Sequence, residues 1–249
     1  MKWQCWSGAQ NTFFISDEWT ESWSNTGRSP AEIAKKMCQS LPNFAVDGVI
    51  FLRKHNSLDF EWEFYNSDGS SAEMCGNAAR CVAGYYSAVI SKKDRIEFKS
   101  LAGNIVTSDL GHQEYRVQMT PIMKIENESA HKIYNTGVPH LVVDSNPDGL
   151  LAKSLRFTGG GAGVNVTFVK PLTESRCEGV TFERGVENFT KACGTGAVAC
   201  AMYMHEKFGV SQAEVIMPGG RLVVENIGIG LRPYLSGEAH RIFDVEFEL

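Results

Sequence analysis

Cys75-Gly76-Asn77-Ala78-Ala79-Arg80-Cys81-Val82-Ala83 and Cys193-Gly194-Thr195-Gly196-Ala197-Val198-Ala199-Cys200-Ala201 are the two stretches on which the fold turns. Each opens on Cys-Gly and runs on through small residues, which reads as a small-residue helix. They predict helices over about 76–90 and 195–208, with Gly209 as the stop of the second. The two cysteines stand 118 residues apart (193 − 75), close to half of the 249-residue chain. Two similar halves, each strand-rich and each with one Cys-headed helix, is the simplest reading. Two unrelated small-residue helices is the alternative. A boundary near Pro121 divides the chain into 1–120, to which about 240–249 is assigned as well, and 121–239.

Around these helices the chain reads as short strands. Val49-Ile50-Phe51-Leu52, Phe60 to Tyr65, Val166-Thr167-Phe168-Val169 and Arg221-Leu222-Val223-Val224 are β-branched or aromatic. Phe243 to Leu249 alternates apolar with acidic residues, as a half-buried strand does. Asn66-Ser67-Asp68-Gly69, Pro147-Asp148-Gly149 and Pro218-Gly219-Gly220 are turn signals. Ser29-Pro30 ahead of residues 31–41 is a capped helix start.

Composition narrows the function. Lys and Arg number 24 against 29 Asp and Glu, for a net charge of −5, and no long basic block occurs. Neither nucleic acid nor an anionic membrane is the expected partner. Apolar residues at 43% and charged residues at 21% describe a globular chain. No apolar run is long enough to span a membrane, and Met1-Lys2-Trp3-Gln4-Cys5 does not resemble a secretory signal. Seven cysteines, an odd number spread along the chain, argue for reduced thiols and a cytoplasmic location. A homodimer is an allowed assembly.

A cysteine at a strand-to-helix turn sits beside unpaired backbone N–H groups and the positive end of the helix dipole, which favour thiolate. The glycine after it lets a ligand approach the backbone. The same N–H groups hold a carboxylate. Two such turns facing one another clamp one carboxylate between two sulfurs, which suits inversion at the carbon next to it. One thiolate takes the proton from one face and a thiol delivers a proton to the other, while the N–H donors stabilise the enediolate-like carboxylate. Zinc fits poorly, because Cys75-x5-Cys81 and Cys193-x6-Cys200 are wider than usual ligand spacings. A Cys–His140 nucleophile leaves the second elbow unexplained. A redox pair of Cys75 and Cys193 lacks Cys-x-x-Cys spacing. Cys5, Cys38, Cys81, Cys177 and Cys200 read as small core hydrophobes.

The run from Asn66 through Met74-Cys75-Gly76-Asn77 to Cys81 resembles the first signature of the diaminopimelate epimerase family. Glu183-Arg184-Gly185 with Ala192-Cys193-Gly194-Thr195-Gly196-Ala197 resembles the second. Weaker matches follow in family order: Gly8 to Phe13, Asp47-Gly48, Gly137-Val138-Pro139-His140, Asn165-Val166 and Pro218-Gly219-Gly220. The resemblance implies an α+β fold of two pseudo-symmetric halves, each a curved, mostly antiparallel sheet or barrel around a central helix. It places the active site in the cleft between the halves. It implies an amino-acid substrate, no pyridoxal phosphate or other cofactor, and no metal. The reaction implied converts LL-diaminopimelate to the meso form.

By the same resemblance Cys75 and Cys193 are the acid–base pair. Gly76, Asn77, Gly194 and Thr195 supply donors to the reacting carboxylate. Asn66, Asn165 and Arg184 contact the distal end of the substrate. Glu183 partners its ammonium or sets the polarity of the site, and Asn11 lies near the reacting centre. His140 stands near the catalytic pair or serves as a hydrogen-bonded structural histidine. Three positions depart from the family pattern: Thr12 for the usual Asp, Val138 for the usual Asn, and Phe189 for a polar residue. They leave open a racemase of another amino acid, such as histidine. An amino-acid-binding protein without catalysis is the reading from outside enzymology.

Overall fold

The computed structural model describes residues 1–20, 23, 27–41, 43–127, 130–158 and 161–248. The chain divides into two compact units, Met1–Val117 with Glu238–Leu249, and Gln118–Gly237.

In the first unit the strands are β1 (Lys2–Gly8), β2 (Asn11–Asp17), β3 (Gly48–Arg53), β4 (Phe60–Asn66), β5 (Arg95–Ser100), β6 (Gly103–Asp109) and β7 (Glu114–Gln118). A further strand, β16 (Tyr234–Glu246), pairs with β1 from Gly8↔Ala239 to Lys2↔Glu246. Along the order β16-β1-β2-β3-β4-β5-β6-β7 the pairings are antiparallel, antiparallel, parallel, antiparallel, parallel, antiparallel, antiparallel. Strand β7 neighbours β16, and Ala239 N–H donates to Gln113 O at 3.0 Å, so the ring closes into an eight-stranded barrel with no open edge. Helix α2 (Gly76–Val89) packs on β1, β2 and β6, and its residues Gly76 through Tyr86 are all buried. That burial explains the small residues: a helix enclosed by strands has no solvent face. Helix α1 (Pro30–Gln39) starts at Ser29, whose capping box with Glu32 holds its first turn. It ends two residues before the span the sequence suggests, where Ser40 N–H turns back to Met37 O. Its Ile33, Ala34 and Met37 join Trp3, Phe14, Trp23, Val49 and Phe51 in one core cluster.

In the second unit the strands are β8 (Met123–Ile125), β9 (Lys132–Asn135), β10 (Pro139–Asp144), β11 (Asn165–Thr173), β12 (Arg176–Glu183), β13 (Asn188–Phe189), β14 (Gln212–Met217) and β15 (Gly220–Glu225). Along β8-β9-β10-β11-β12-β14-β15-β16 the pairings repeat the first unit's succession step for step. Helix placement repeats too. Helix α3 (Gly149–Leu155) lies between β10 and β11 as α1 does between β2 and β3, and α4 (Gly194–Phe208) lies between β12 and β14 as α2 does between β4 and β5. The fold is thus α+β with two topologically equivalent halves. Gly209, at φ +76°, ends α4 in the left-handed conformation.

One turn signal carries more than a turn. Asp148 of Pro147-Asp148-Gly149 caps α3, accepting from the N–H groups of Leu150 and Leu151 at 2.8 and 3.1 Å. The C-terminal alternation belongs to β16, which starts earlier than the sequence suggests, at Tyr234, and ends at Glu246.

Candidate active site

Cys75 and Cys193 occupy the same place in their units. Each is the extended residue immediately before a buried helix, with φ, ψ of −142°, 125° and −129°, 110°. Extended backbone at this position ends the approach to the helix and leaves the first-turn N–H groups without intrahelical partners. The two elbows then differ. Helix α2 has no side-chain cap bond. Cys193 Sγ accepts from Gly196 N–H at 3.4 Å and lies 3.3 Å from Thr195 Oγ1. Gly196 permits this: a Cβ there would stand 2.2 Å from Thr181 Oγ1 and 3.4 Å from Cys193 Sγ. Cys75 is half-buried and Cys193 is 8% exposed.

Around Cys75, Asn77 is buried and donates through Nδ2 to Asn11 Oδ1 at 2.6 Å. Gly8 makes this approach of β1 to α2 feasible, since a Cβ there would lie 2.9 Å from Asn77 O. Asn11 begins β2 just after Ala9 and Gln10, both at positive φ (50° and 63°), a two-residue hairpin turn that twists with its strands. Thr12, where the chain departs from the family pattern, is engaged in structure. Its N–H donates to Asp47 Oδ2 at 2.7 Å and its hydroxyl to Ala45 O at 2.6 Å.

Around Cys193 a second network forms. The parallel register of β10 and β11 sets His140 beside Asn165. Asn165 Oδ1 accepts from Arg184 N–H at 2.8 Å, which fixes the amide and turns Nδ2 to His140 Nε2 at 3.2 Å. Nε2 is therefore the acceptor nitrogen, and Nδ1–H donates to Thr167 Oγ1 at 2.8 Å. Thr167 Oγ1 meets Thr181 Oγ1 at 3.1 Å. Thr195 Oγ1 lies 2.9 Å from His140 Nε2, and Thr136 Oγ1 donates to Thr195 O at 2.9 Å. Burial, and then the charge of Arg184, push His140 down to about 3, so it is neutral at physiological pH. His140 is thus a hydrogen-bonded positioning group here, joined to Cys193 by way of Thr195.

The remaining expected residues lie at the margins. Arg184 is exposed, with Nη1 3.3 Å from Gly163 O. Glu183 accepts from Thr190 Oγ1 at 2.5 Å. Asn66 is exposed and donates to Ser70 Oγ at 3.0 Å within its own turn. Phe189 packs edge-on to Phe168 and Phe182, with centroids 5.9 and 5.6 Å apart, so its apolar character serves the core. Val138 sits in the β9–β10 turn, which touches Thr195: a Cβ on neighbouring Gly137 would lie 3.3 Å from Thr195 Cγ2. Thr136, Thr167 and Thr181 belong to this network and lie outside the sequence motifs. Thr167 and Thr181 are opposite one another on the paired strands β11 and β12, buried where an apolar residue is the usual choice, which is the signal that marks them. Burial pushes Cys5 and Cys38 up to about 12 and raises Cys81 as well, while the hydrogen bond with Cys177 and then burial raise Cys200 well above the ordinary thiol value. Among the described residues no group of three or more His, Cys, Asp or Glu could hold a metal, and no helix is long and apolar enough to cross a membrane.

The diaminopimelate epimerase family model matches residues 6–125 and 132–242. The chain belongs to the diaminopimelate epimerase family. It is 33% identical to the diaminopimelate epimerase of Aquifex aeolicus over 264 residues, covering 95% of this chain and 94% of that one. It is 32% identical to that of a Hydrogenobaculum species over 269 residues, covering 96% and 95%. A solved structure of a phenazine biosynthesis protein of the PhzF family from Bacillus anthracis superposes with a TM-score of 0.74 over 100% of this chain and 99% of that one, at 11% identity. That likeness is one of fold. Within the diaminopimelate epimerase family, the matched span includes both Cys-Gly elbows.

Proposed function

We propose that this protein is an isomerase, a diaminopimelate epimerase that interconverts the LL and meso forms without pyridoxal phosphate. The observation that carries the reading is the pair of Cys-Gly elbows at equivalent helix heads in a chain of this family. Cys75 and Cys193 act on opposite faces of one α-carbon. The thiolate of one takes the α-proton and becomes a thiol, and the thiol of the other gives its proton and becomes a thiolate. Charge is conserved over the turnover. An α-proton is much less acidic than a thiol, and each unit of mismatch costs about 1.4 kcal/mol. First-turn N–H groups at Gly76, Asn77, Gly194 and Thr195 therefore bind the carboxylate most strongly when it is enediolate-like. Asn11 contacts the substrate near the reacting centre. Asn66, Asn165 and Arg184 hold the distal end, with the planar guanidinium facing the second carboxylate, and Glu183 faces an ammonium. Both sulfurs must be reduced to work, which suits a cytoplasmic location and synthesis of lysine and cell-wall precursor.

Proton NMR of the reduced protein with LL-diaminopimelate in D2O tests the reading. Loss of the α-proton signal together with the appearance of the meso form is expected. Absence of exchange on diaminopimelate, with exchange on another amino acid, overturns the substrate. Absence of exchange on every amino acid tried overturns the reaction.

A further inference from the structure

Arg80 has no part in the mechanism above, yet it is completely buried. Its Nη2 donates to Asn77 Oδ1 at 2.7 Å and its Nη1 reaches Gly76 O at 3.4 Å, while Nε has no partner. Among the described residues no carboxylate pairs with it. A guanidinium does not give up its proton in proteins, so an enclosed one calls for an anion. Burial weakens the charged form of Arg80, and the groups that counter this are the sulfurs of Cys81 and Cys75. Cys81 is sealed in the core, and burial pushes its thiol far up, so it stays neutral. Cys75 is the half-buried sulfur at the helix head.

The repeat sharpens the point. Five residues after Cys75 stands Arg80, and five residues after Cys193 stands Val198, also fully buried. One elbow has a buried cation behind it and its counterpart has an isopropyl group. The elements packed on α2 bring few other charges. Strand β1 offers Lys2 and Cys5, β2 offers Asp17, β6 offers Asp109, α2 itself adds Tyr85 and Tyr86, and Tyr115 on β7 stands against Gly84. Asp17 is engaged by Tyr85 Oη and Asp109 by Gly111 N–H.

We infer that Arg80 is a positioning residue for the reaction at Cys75. Its charge favours the thiolate of Cys75 in the resting protein. Its bond to Asn77 turns that amide so that Nδ2 holds Asn11 Oδ1 and leaves the Asn11 N–H donors for the substrate. The two elbows are thus alike in backbone and unlike in charge, and the resting protein carries its thiolate at Cys75. The inference rests on the epimerase reading for its use in turnover, but the state of Cys75 is measurable without turnover.

The test follows iodoacetamide alkylation of Cys75 against pH, with the Cys75 peptide quantified by mass spectrometry, in the wild-type protein, Arg80→Lys and Arg80→Gln. The wild-type midpoint is expected below the ordinary thiol value of about 8.5. Arg80→Gln is expected to move it up by about one unit or more and to lower kcat for α-proton exchange more than it alters KM, and Arg80→Lys to restore most of both. A folded Arg80→Gln protein with the wild-type midpoint overturns the inference. If that variant does not fold, thiolate absorbance of wild-type protein against Cys75→Ser decides alone: a Cys75 signal that appears only at or above the ordinary thiol range overturns it. Failure of the epimerase reading is seen separately, as lack of α-proton exchange in wild-type protein whose Cys75 still titrates low.

Discussion

Cys193 and His140 are joined by a single hydroxyl: Thr195 Oγ1 lies 3.3 Å from the sulfur and 2.9 Å from Nε2. Either atom can donate across the first contact, so the two-thiol proposal gives the Thr195 proton to His140 when Cys193 is a thiol and to the sulfur when it is a thiolate. Thr195→Val removes this choice and Thr195→Ser keeps it. The Val variant is expected to lose about 3–10-fold in kcat, the equivalent of one hydrogen bond, and the Ser variant much less. Steady-state exchange rates in D2O check this, and equal rates in both variants would remove Thr195 from the mechanism.

Both sulfurs are required in each direction. Cys75→Ala and Cys193→Ala are each expected to abolish epimerisation, because either change removes the acid or the base for one face. Chiral separation of the product after long incubation is the measurement. Full epimerisation by either variant rules out the two-thiol mechanism.

His140 makes stability depend on pH. Its folded value, pushed down to about 3, lies below the ordinary 6.5. Below pH 6.5 the unfolded chain binds a proton that the folded protein does not, so stability falls as pH falls from 6.5 toward 3. The loss is about 1.4 kcal/mol per pH unit while only the unfolded form is protonated. His140→Gln should show a flatter melting temperature between pH 6.5 and 4. An unchanged slope means the histidine is not held neutral.

Gly196→Ala places a methyl group 2.2 Å from Thr181 Oγ1. That hydroxyl is bonded to Thr167 inside the sheet and has little room to retreat. The expected cost is about 1–3 kcal/mol, read by urea denaturation, with the larger effect on activity because Cys193 Sγ is displaced with it. A variant of wild-type stability contradicts the packing described.

Arg184 has its backbone N–H in the Asn165 network and its side chain exposed. Arg184→Ala therefore leaves the network in place. The expected effect is a higher KM for diaminopimelate, with little change for an amino acid lacking the second carboxylate. Equal losses on both substrates contradict a distal role.

Much of the architecture is legible in the sequence, for local reasons. Cys-Gly followed by small residues specifies a strand-to-helix turn and a small-residue helix, and α2 and α4 fall within one residue of those spans. Helix α3 is harder to see, because seven residues give no sustained period and Pro147-Asp148-Gly149 reads equally as a turn until Asp148 is seen capping. The repeat shows in sequence only at the elbows, yet it is complete in the order of strand pairings, which depends on backbone partners and not on side-chain identity. The threonines around His140 come from two strands, a turn and the head of α4, which no local window contains. Phe189 departs from the family pattern in sequence, and in the fold its ring packs against Phe168 and Phe182.

Strand β16 has a consequence for biosynthesis. The barrel around α2 is closed by residues 238–246 against β1, although more than a hundred residues of the second unit are synthesised in between. At about 5–20 residues per second the wait is on the order of ten seconds. Throughout it the outer edge of β1, including Trp3 and Cys5, lacks its partner strand. The nascent chain thus exposes an aggregation-prone edge, and a binder that shields β1 on the ribosome should raise the yield of folded protein.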